Sequence, residues 1–485
     1  MSLKDDLSRI LGSDAVVDAD DILRSYSRDQ SFEQPGKPDA VAFARTVEQV
    51  QEVVRYANKT KTPLVPYSSG LNLHGACIPK AGGIILNLSR MNRFIAIDDK
   101  NWFAIVEPGV TLDQLQDGLA AKGLRAMLPF GVPAKRSALT SVVERDPSLA
   151  SASFEYGNDL LMDTEIVLPT GELFRTGLWS AGGRPGSHMG PVRSMIYRFW
   201  TGAQGTFGIL TKACIKVETL PVVMELHAFG FNSFADAVAP LRELQRREIG
   251  LECFLLSSFN LAALLSRDWS IPESYPAARQ DSSHFKTLRS ELPPWVLFIN
   301  LAGAPELPEE KIAYEREALG EVAKKHSLSS FNLNGHREVL MEEILRPWRI
   351  LKKFCYKGSV HDLSFKAPLA RLPEFQRLIL QVADTHDYPV DDIGGYILPI
   401  ERGRAVHCEF DFHCDNNDAV EREHIHLVWQ EASQKLIEAG AFFDRPYGAW
   451  SQMMYRHSGQ YAQKLQDLKK ELDPNNIMNP GKLCF

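Results

Sequence analysis

Apolar positions along the first half of the chain alternate between two spacings. Residues 40–45 (AVAFAR) read as a strand, and Thr46 opens a helix in which Val47, Val50, Val53, Val54 and Ala57 return at helical intervals. Residues 63–66 read as a second strand, followed by a loop of small and polar residues over 67–76. The run GGIILNLSRMNRFIAID supplies two short strands and WFAIVEPGV another. Thr111 caps a helix, LDQLQDGLAAKG, that stops at Gly123. A second α/β stretch runs from Asp163 to Lys216, with a hairpin turned at Pro169, Thr170, Gly171 and Glu172. Near Leu220 and Pro221 the pattern changes. From there to about Ala432, helices such as 233–247 alternate with strands such as 295–301, as expected of an inserted α+β cap. Residues 433–485 read as helical. The expected organisation is 1–220, 221–432 and 433–485, in the α+β class.

Composition narrows the function. A chain of 485 residues exceeds the size of one core, so several domains are expected. Its 44% hydrophobic and 24% charged residues are those of a folded protein. A net charge of -7, without blocks of like charge, argues against nucleic acid as a partner. The start, MSLKDDLSRI, lacks the apolar core of a signal peptide. No stretch reaches the roughly 20 apolar residues of a membrane span, and a cytoplasmic protein is expected. The seven cysteines are scattered and form no C-x-x-C pair. They fit reduced thiols and not a disulfide framework, a cluster or structural zinc, so redox chemistry would need a bound organic cofactor.

The loop after the strand at Leu64 carries the chief chemical signal. Ser68, Ser69, Gly70, Gly75 and Ala76 are small enough for backbone N–H groups to turn inward on a pyrophosphate, and Asn72 adds a side-chain donor. The spacing is neither a G-x-G-x-x-G fingerprint nor a P-loop, and taken alone it is no more than a glycine-rich turn.

Several motifs in order say more. The series PLVPYSSGLNLHGA, GGIILNLSRMNRFIAID and AIVEPGVTL, then Tyr156-Gly157, EIVLPTGELFRTG, WTGAQGTFGILTKACIKV and DPNNIMNPGK, resembles the vanillyl-alcohol oxidase/para-cresol methylhydroxylase family over nearly the whole chain. The resemblance implies a two-subdomain FAD-binding domain, an inserted α+β cap, and a C-terminal segment returning to the FAD domain. It implies FAD held by Ser69, Gly70, Leu71, Asn72, Gly75, Ser141, Gly205, Gly208 and Ile209. Pro108 and Gly109 would lie by the adenine or ribose side, and Asn479 and Lys482 would close the site. Two departures matter. The second small-residue loop, Ser137 to Glu144, has hydroxyls but no glycine. Many relatives bond FAD through a histidine at the position of Leu71, which cannot form that bond, so non-covalent FAD is expected, with a histidine or tyrosine link from the cap as the lesser alternative.

Read as a strand, residues 405–414 put His407, Glu409, Asp411 and His413 on one face and Cys408, Phe410, Phe412 and Cys414 on the other. The plain reading is a solvated sheet face. The functional one, which the resemblance implies, is a polar stripe over the flavin ring. Hydride transfer needs a base for the hydroxyl proton. His407 is the first choice, His413 the second, and Glu409 would orient the imidazole. Tyr156, Tyr396 and Tyr447 are aromatic candidates for hydroxyl contacts, each with packing as the commoner role. Arg346 and Arg349 could fork a substrate carboxylate. The histidine-rich motif of the 2-hydroxy-acid branch is absent, so no metal is expected. Tyr447-Gly448 is not followed by the Tyr-Arg pair of the phenol branch. The expectation is an FAD-linked oxidase or dehydrogenase taking a hydride to flavin N5 from a small hydroxylated substrate, either an aromatic alcohol or alkylphenol or a 2-hydroxy acid. The alternative is a flavin-binding electron-transfer or assembly subunit without substrate oxidation of its own. The electron acceptor (oxygen, a quinone, a cytochrome or a partner protein) stays open, and a homodimer fits the resemblance.

Overall fold

The computed structural model describes residues 2–150, 160–183, 196–333 and 335–485. Tyr156 lies outside the described residues.

Among the described residues the N-terminal part holds two main sheets and a short pairing of Glu218–Thr219 with Leu124–Arg125. The strands Ala40–Phe43, Ile84–Asn87 and Leu64–Tyr67 pair in parallel, with Val16–Val17 antiparallel at one edge. Parallel strands need a crossover, and the helix Val47–Thr60 supplies one. Thr46 caps that helix by accepting from the Gln49 N–H, and Val50, Val53, Val54 and Ala57 are buried along its inner face. The second sheet is antiparallel, in the order Phe94–Asp98, Phe103–Val106, Ile209–Lys216, Leu161–Val167, Leu173–Arg175. Its last pair is the hairpin expected at 169–172. The small-residue stretch after Ser137 departs from expectation. It is the helix Ala138–Val143, capped by the Ser137 hydroxyl, and not an open loop.

The cap is built on an antiparallel sheet of seven strands. From one edge to the other these are Ser329–Ser330, Val223–Phe231, Trp295–Gly303, Glu252–Ser257, Gly394–Ile400, Ala405–Cys414 and Ser359–Ala367. One face packs on the helices Phe234–Arg246, Pro308–Lys325, Leu372–Thr385 and Ala419–Glu438, with Cys408, Phe410 and Phe412 in that core. The other face carries Tyr396 and Leu398, and Phe130 from the N-terminal part packs into it. The helix Ala419–Glu438 runs unbroken through position 432.

The last residues return to the first sheet. Leu64 N–H donates to Ile477 O at 2.7 Å, and Asn479 N–H donates to Leu64 O at 2.9 Å. Buried Lys469 fixes the return by donating to Thr206 O, Met478 O and Asp473. Among the described residues no helix is long and apolar enough to cross a membrane, and no group of three or more His, Cys, Asp or Glu is placed to hold a metal.

Candidate active site

The strand Leu64–Tyr67 delivers the glycine loop to the edge of a cavity of about 760 Å3. Gly70, at φ 68°, takes a left-handed backbone, and a Cβ there would run into the Tyr67 hydroxyl. Gly205, at φ 70°, turns against the Pro66 ring with the same consequence. The loop is stitched to the 138–143 helix: Ser68 and Thr140 hydroxyls lie 2.7 Å apart, and Ser137 N–H donates to Ser69 Oγ at 3.1 Å.

Of the expected cofactor residues, Asn72, Pro108, Gly205, Gly208, Ile209 and Asn479 line this cavity. Ser69, Gly70, Leu71, Gly75, Gly109, Ser141 and Lys482 are not on its wall. Several of them brace the loop: Lys482 Nζ donates to Gly75 O at 2.6 Å, Gly75 N–H donates to Asp29 at 2.8 Å, and Arg136 donates to Leu71 O and to Ser141 Oγ. Leu88, Leu139, Val143 and Leu210 give the cavity an apolar lining suited to flat rings. Asn479 donates to Ala76 O and Gln204 O, while its buried Oδ1 has no partner in the protein. A backbone cradle that a side chain would fill, an apolar lining and an orphaned acceptor fit a dinucleotide such as FAD.

A second cavity, of about 700 Å3, adjoins the first and shares Asn72, Arg136 and Tyr447 with it. Its far wall is the polar face of the cap sheet. Cross-strand pairing sets Ser364 opposite Glu409, Lys366 opposite His407 and Asp362 opposite Asp411. The stripe expected from the alternation is therefore present, and His407 and Glu409 both reach the cavity. His413 does not. It is buried against Phe259, ring centres 4.4 Å apart, and neither ring nitrogen has a partner in the protein. Burial pushes it down to about 3. Tyr396 sits behind the stripe against Phe130, its hydroxyl also without a partner. Arg346 and Arg349 face outward onto Asp117 and Glu342.

The charges on this wall are paired. Lys353 Nζ lies 2.5 Å from Glu409 and 2.9 Å from Asp411. Burial opposes the Glu409 charge, and the Lys353 ammonium more than offsets it, holding the carboxyl below its usual range. Burial, together with the charges of Glu409 and Asp411, raises Asp362 to about 8. Lys366 Nζ stands 2.9 Å from His407 Nδ1 and is itself brought down to about 8 by burial, against the pull of Asp444. An ammonium has only protons to give, so it fixes Nδ1 as acceptor and leaves the proton of the neutral ring on Nε2. That Nε2 lies 3.9 Å from Glu409 Oε2.

Sequence reasoning named Tyr447 on the rest of the wall but passed over the charged groups around it. Asp146 bridges Arg136, at 2.9 Å, and Arg445, at 2.5 Å. Tyr447 donates to Glu144, whose carboxyl is raised by burial. An arginine and a tyrosine thus do border the cavity, in the order Arg445, Tyr447. The signal was the Asp-Arg pair just before Tyr447-Gly448. For Lys353 there was none, since it stands beside Lys352 and close to Arg349.

Residues 38–177 match the family profile described as FAD binding domain, and residues 220–483 that of FAD linked oxidases, C-terminal domain. The chain is 26% identical to the 4-cresol dehydrogenase (hydroxylating) flavoprotein subunit of Pseudomonas putida, over 98% of this chain and 93% of the relative. It is 24% identical to the glycolate oxidase subunit GlcD of Bacillus subtilis (strain 168), over 99% and 96%. The fold superposes on p-cresol methylhydroxylase with substrate bound at a TM-score of 0.80, with 22% identity, 99% of this chain covered and 96% of that one. The second profile alone takes in more than half of the sequence, and the chain belongs to the FAD-linked oxidases, an FAD-dependent oxidoreductase of the vanillyl-alcohol oxidase/para-cresol methylhydroxylase family.

Proposed function

We propose that the protein oxidises a small hydroxylated aromatic molecule, an aromatic alcohol or alkylphenol, in the cavity between Arg136 and the polar stripe. The observation that carries this reading is the junction of the two cavities at Asn72, Arg136 and Tyr447, which sets His407 and Glu409 across from the cofactor cavity. FAD, when bound, supplies the acceptor for the hydride. The chain's own residues handle the proton. A hydroxyl oxygen seated between His407 Nε2 and Glu409 Oε2 receives a hydrogen bond from the imidazole and gives its proton to the carboxylate as the C–H bond breaks. His407, the base expected from the sequence, becomes the positioning donor, because Lys366 fixes its tautomer. Glu409 takes the role of base.

The choice of substrate follows from the charges. Arg136 and Arg445 are engaged by Asp146, and Lys353 by two carboxylates, so the wall offers a substrate carboxylate no uncommitted cation among these three. Phe130, Val132, Tyr275, Phe354 and Val360 present ring and aliphatic surface instead. The 4-cresol relative is in keeping with this reading, and the glycolate relative motivates the 2-hydroxy acid as the competing one.

The test is anaerobic reduction of the bound flavin, followed at its visible band. 4-Hydroxybenzyl alcohol is expected to bleach it, with glycolate and D-lactate inert. Glu409→Gln is expected to slow the reduction by about 10²–10³-fold. Bleaching by the hydroxy acids alone would transfer the assignment to that class. A bound flavin that none of these reduces would favour an electron-transfer or assembly subunit.

A further inference from the structure

Beyond the reaction cavity the structure holds a third space, of about 530 Å3 where it opens to solvent. It lies off the strand Ser359–Ala367, the edge of the cap sheet, and adjoins the reaction cavity at Leu73, His74, Asp362 and Tyr447. Its walls are largely aromatic side chains, packed on one another. Phe32 stacks on His361 at 4.0 Å and on His426 at 4.5 Å, and Trp429 stacks on Trp450 at 5.0 Å. His74 continues the surface, 5.1 Å from Trp450 and 5.5 Å from Tyr447. Trp429 is fixed by donating its indole N–H to Asp362 O at 2.9 Å.

Of the polar groups at the opening between the two spaces, Asp362 is the acid. Asp362 is 5% exposed, and its Oδ1 has no hydrogen-bond partner in the protein. His74 Nε2 lies 3.4 Å away but outside hydrogen-bond geometry. A buried, unsatisfied carboxyl atom is costly unless a ligand completes it. The register sets Asp362 diagonal to Glu409 on the same face, about 5–8 Å away in a paired sheet, a span that one aromatic ring bridges.

We propose that this chamber is a second ring subsite, so that the preferred substrate has two aromatic rings, one at His407 and Glu409 and the other among Phe32, Trp429 and Trp450, with Asp362 hydrogen-bonded to the linker. The inference rests on the aromatic reading of the reaction cavity. At neutral pH Asp362 keeps its proton and donates to an ether or hydroxyl oxygen.

The probes are phenol and 4-phenoxyphenol, neither of which has a hydride to give. Their dissociation constants are read by calorimetry on the FAD-loaded, oxidised protein, so that binding is measured whether or not any alcohol reduces the flavin. 4-Phenoxyphenol is expected to bind at least tenfold more tightly than phenol. Ala449→Phe and, separately, His426→Trp, which add bulk at the chamber wall, are expected to remove that ratio. Asp362→Leu is expected to reduce it and Asp362→Asn to retain most of it. Equal affinities in the native protein, or a ratio unmoved by both filling variants, would overturn the proposal. So would filling variants that slow reoxidation by a benzoquinone while leaving the ratio intact, since the chamber would then serve the electron acceptor. If the ratio behaves as expected but 4-hydroxybenzyl alcohol fails to reduce the flavin, the subsite stands and the reaction assignment falls.

Discussion

Single side chains here act through what their neighbours permit. Gly205 has a positive φ, and its missing Cβ leaves room for the Pro66 ring. Gly205→Ala adds both strain and a clash at the cofactor wall. The variant is expected to fold, by circular dichroism, yet to purify with less than a tenth of the native flavin absorbance. Acid precipitation of the native protein is expected to leave its flavin in the supernatant, because Leu71 has no atom to bond it. In the proposed reaction Lys366 acts through the His407 tautomer. While protonated it fixes the His407 tautomer, and it loses its proton near pH 8. Flavin reduction in the native protein is expected to fall above that pH. In Lys366→Met the rate at pH 7 is expected to drop about tenfold, a loss of roughly 1.4 kcal/mol, and the alkaline fall to vanish. A fall that persists in the variant would move the titration to Asp362.

Elements show how far the pattern of the chain can be read. The 405–414 stripe was legible because a period of two leaves no choice of face once Cys408, Phe410 and Phe412 are buried. The helix after Thr46 was legible from its cap and its valine spacing. Residues without a period were not. Arg136, Asp146 and Arg445 lie in short connections, each next to another charged residue, and their convergence depends on tertiary contact alone. Lys353 looked like part of an exposed basic run, but the 3₁₀ turn Arg349–Cys355 turns it inward to Glu409. One helix, Ala419–Glu438, spans the position 432 at which the last segment was expected to begin. Ile425, Val428, Trp429, Ala432 and Leu436 keep helical spacing straight across it. The Arg136–Asp146–Arg445 bridge joins segments some three hundred residues apart. Asp146→Asn leaves two largely buried guanidinium groups facing an uncharged amide. It is expected to cost about 3–5 kcal/mol, read as a lower urea midpoint, with Asp146→Glu recovering part of the loss.

At the scale of the whole molecule, buried titratable groups pull stability in opposite directions with pH. His74, His361 and His413 are held near 4, 3 and 3 by burial, and His407 is pushed well down. Below about pH 6.5 the unfolded chain therefore binds protons that the folded chain refuses, and stability falls with acid. Asp362 and Glu343 are raised to about 8, mainly by burial. Between about 4.5 and 8 the folded chain keeps protons that the unfolded chain releases, and stability falls as pH rises. The four histidines outweigh these carboxyls below 6.5, and between 6.5 and 8 the raised carboxyls set the slope before the depressed Lys366 begins to release its proton. Thermal unfolding midpoints are expected to peak near pH 6–7 and to decline towards both pH 5 and pH 8. A midpoint that climbs steadily from 5 to 8 would show that Asp362 and Glu343 do not hold their protons.

The backbone bonds between Leu64 and residues 477–479 bear on the order in which the protein comes into being. A ribosome emits the glycine loop some four hundred residues before Asn479, which forms part of the cofactor wall. For most of its synthesis the nascent chain therefore carries half a nucleotide site and an unpaired strand edge. The complete cofactor wall therefore exists only after the last segment has docked on the strand that opened it.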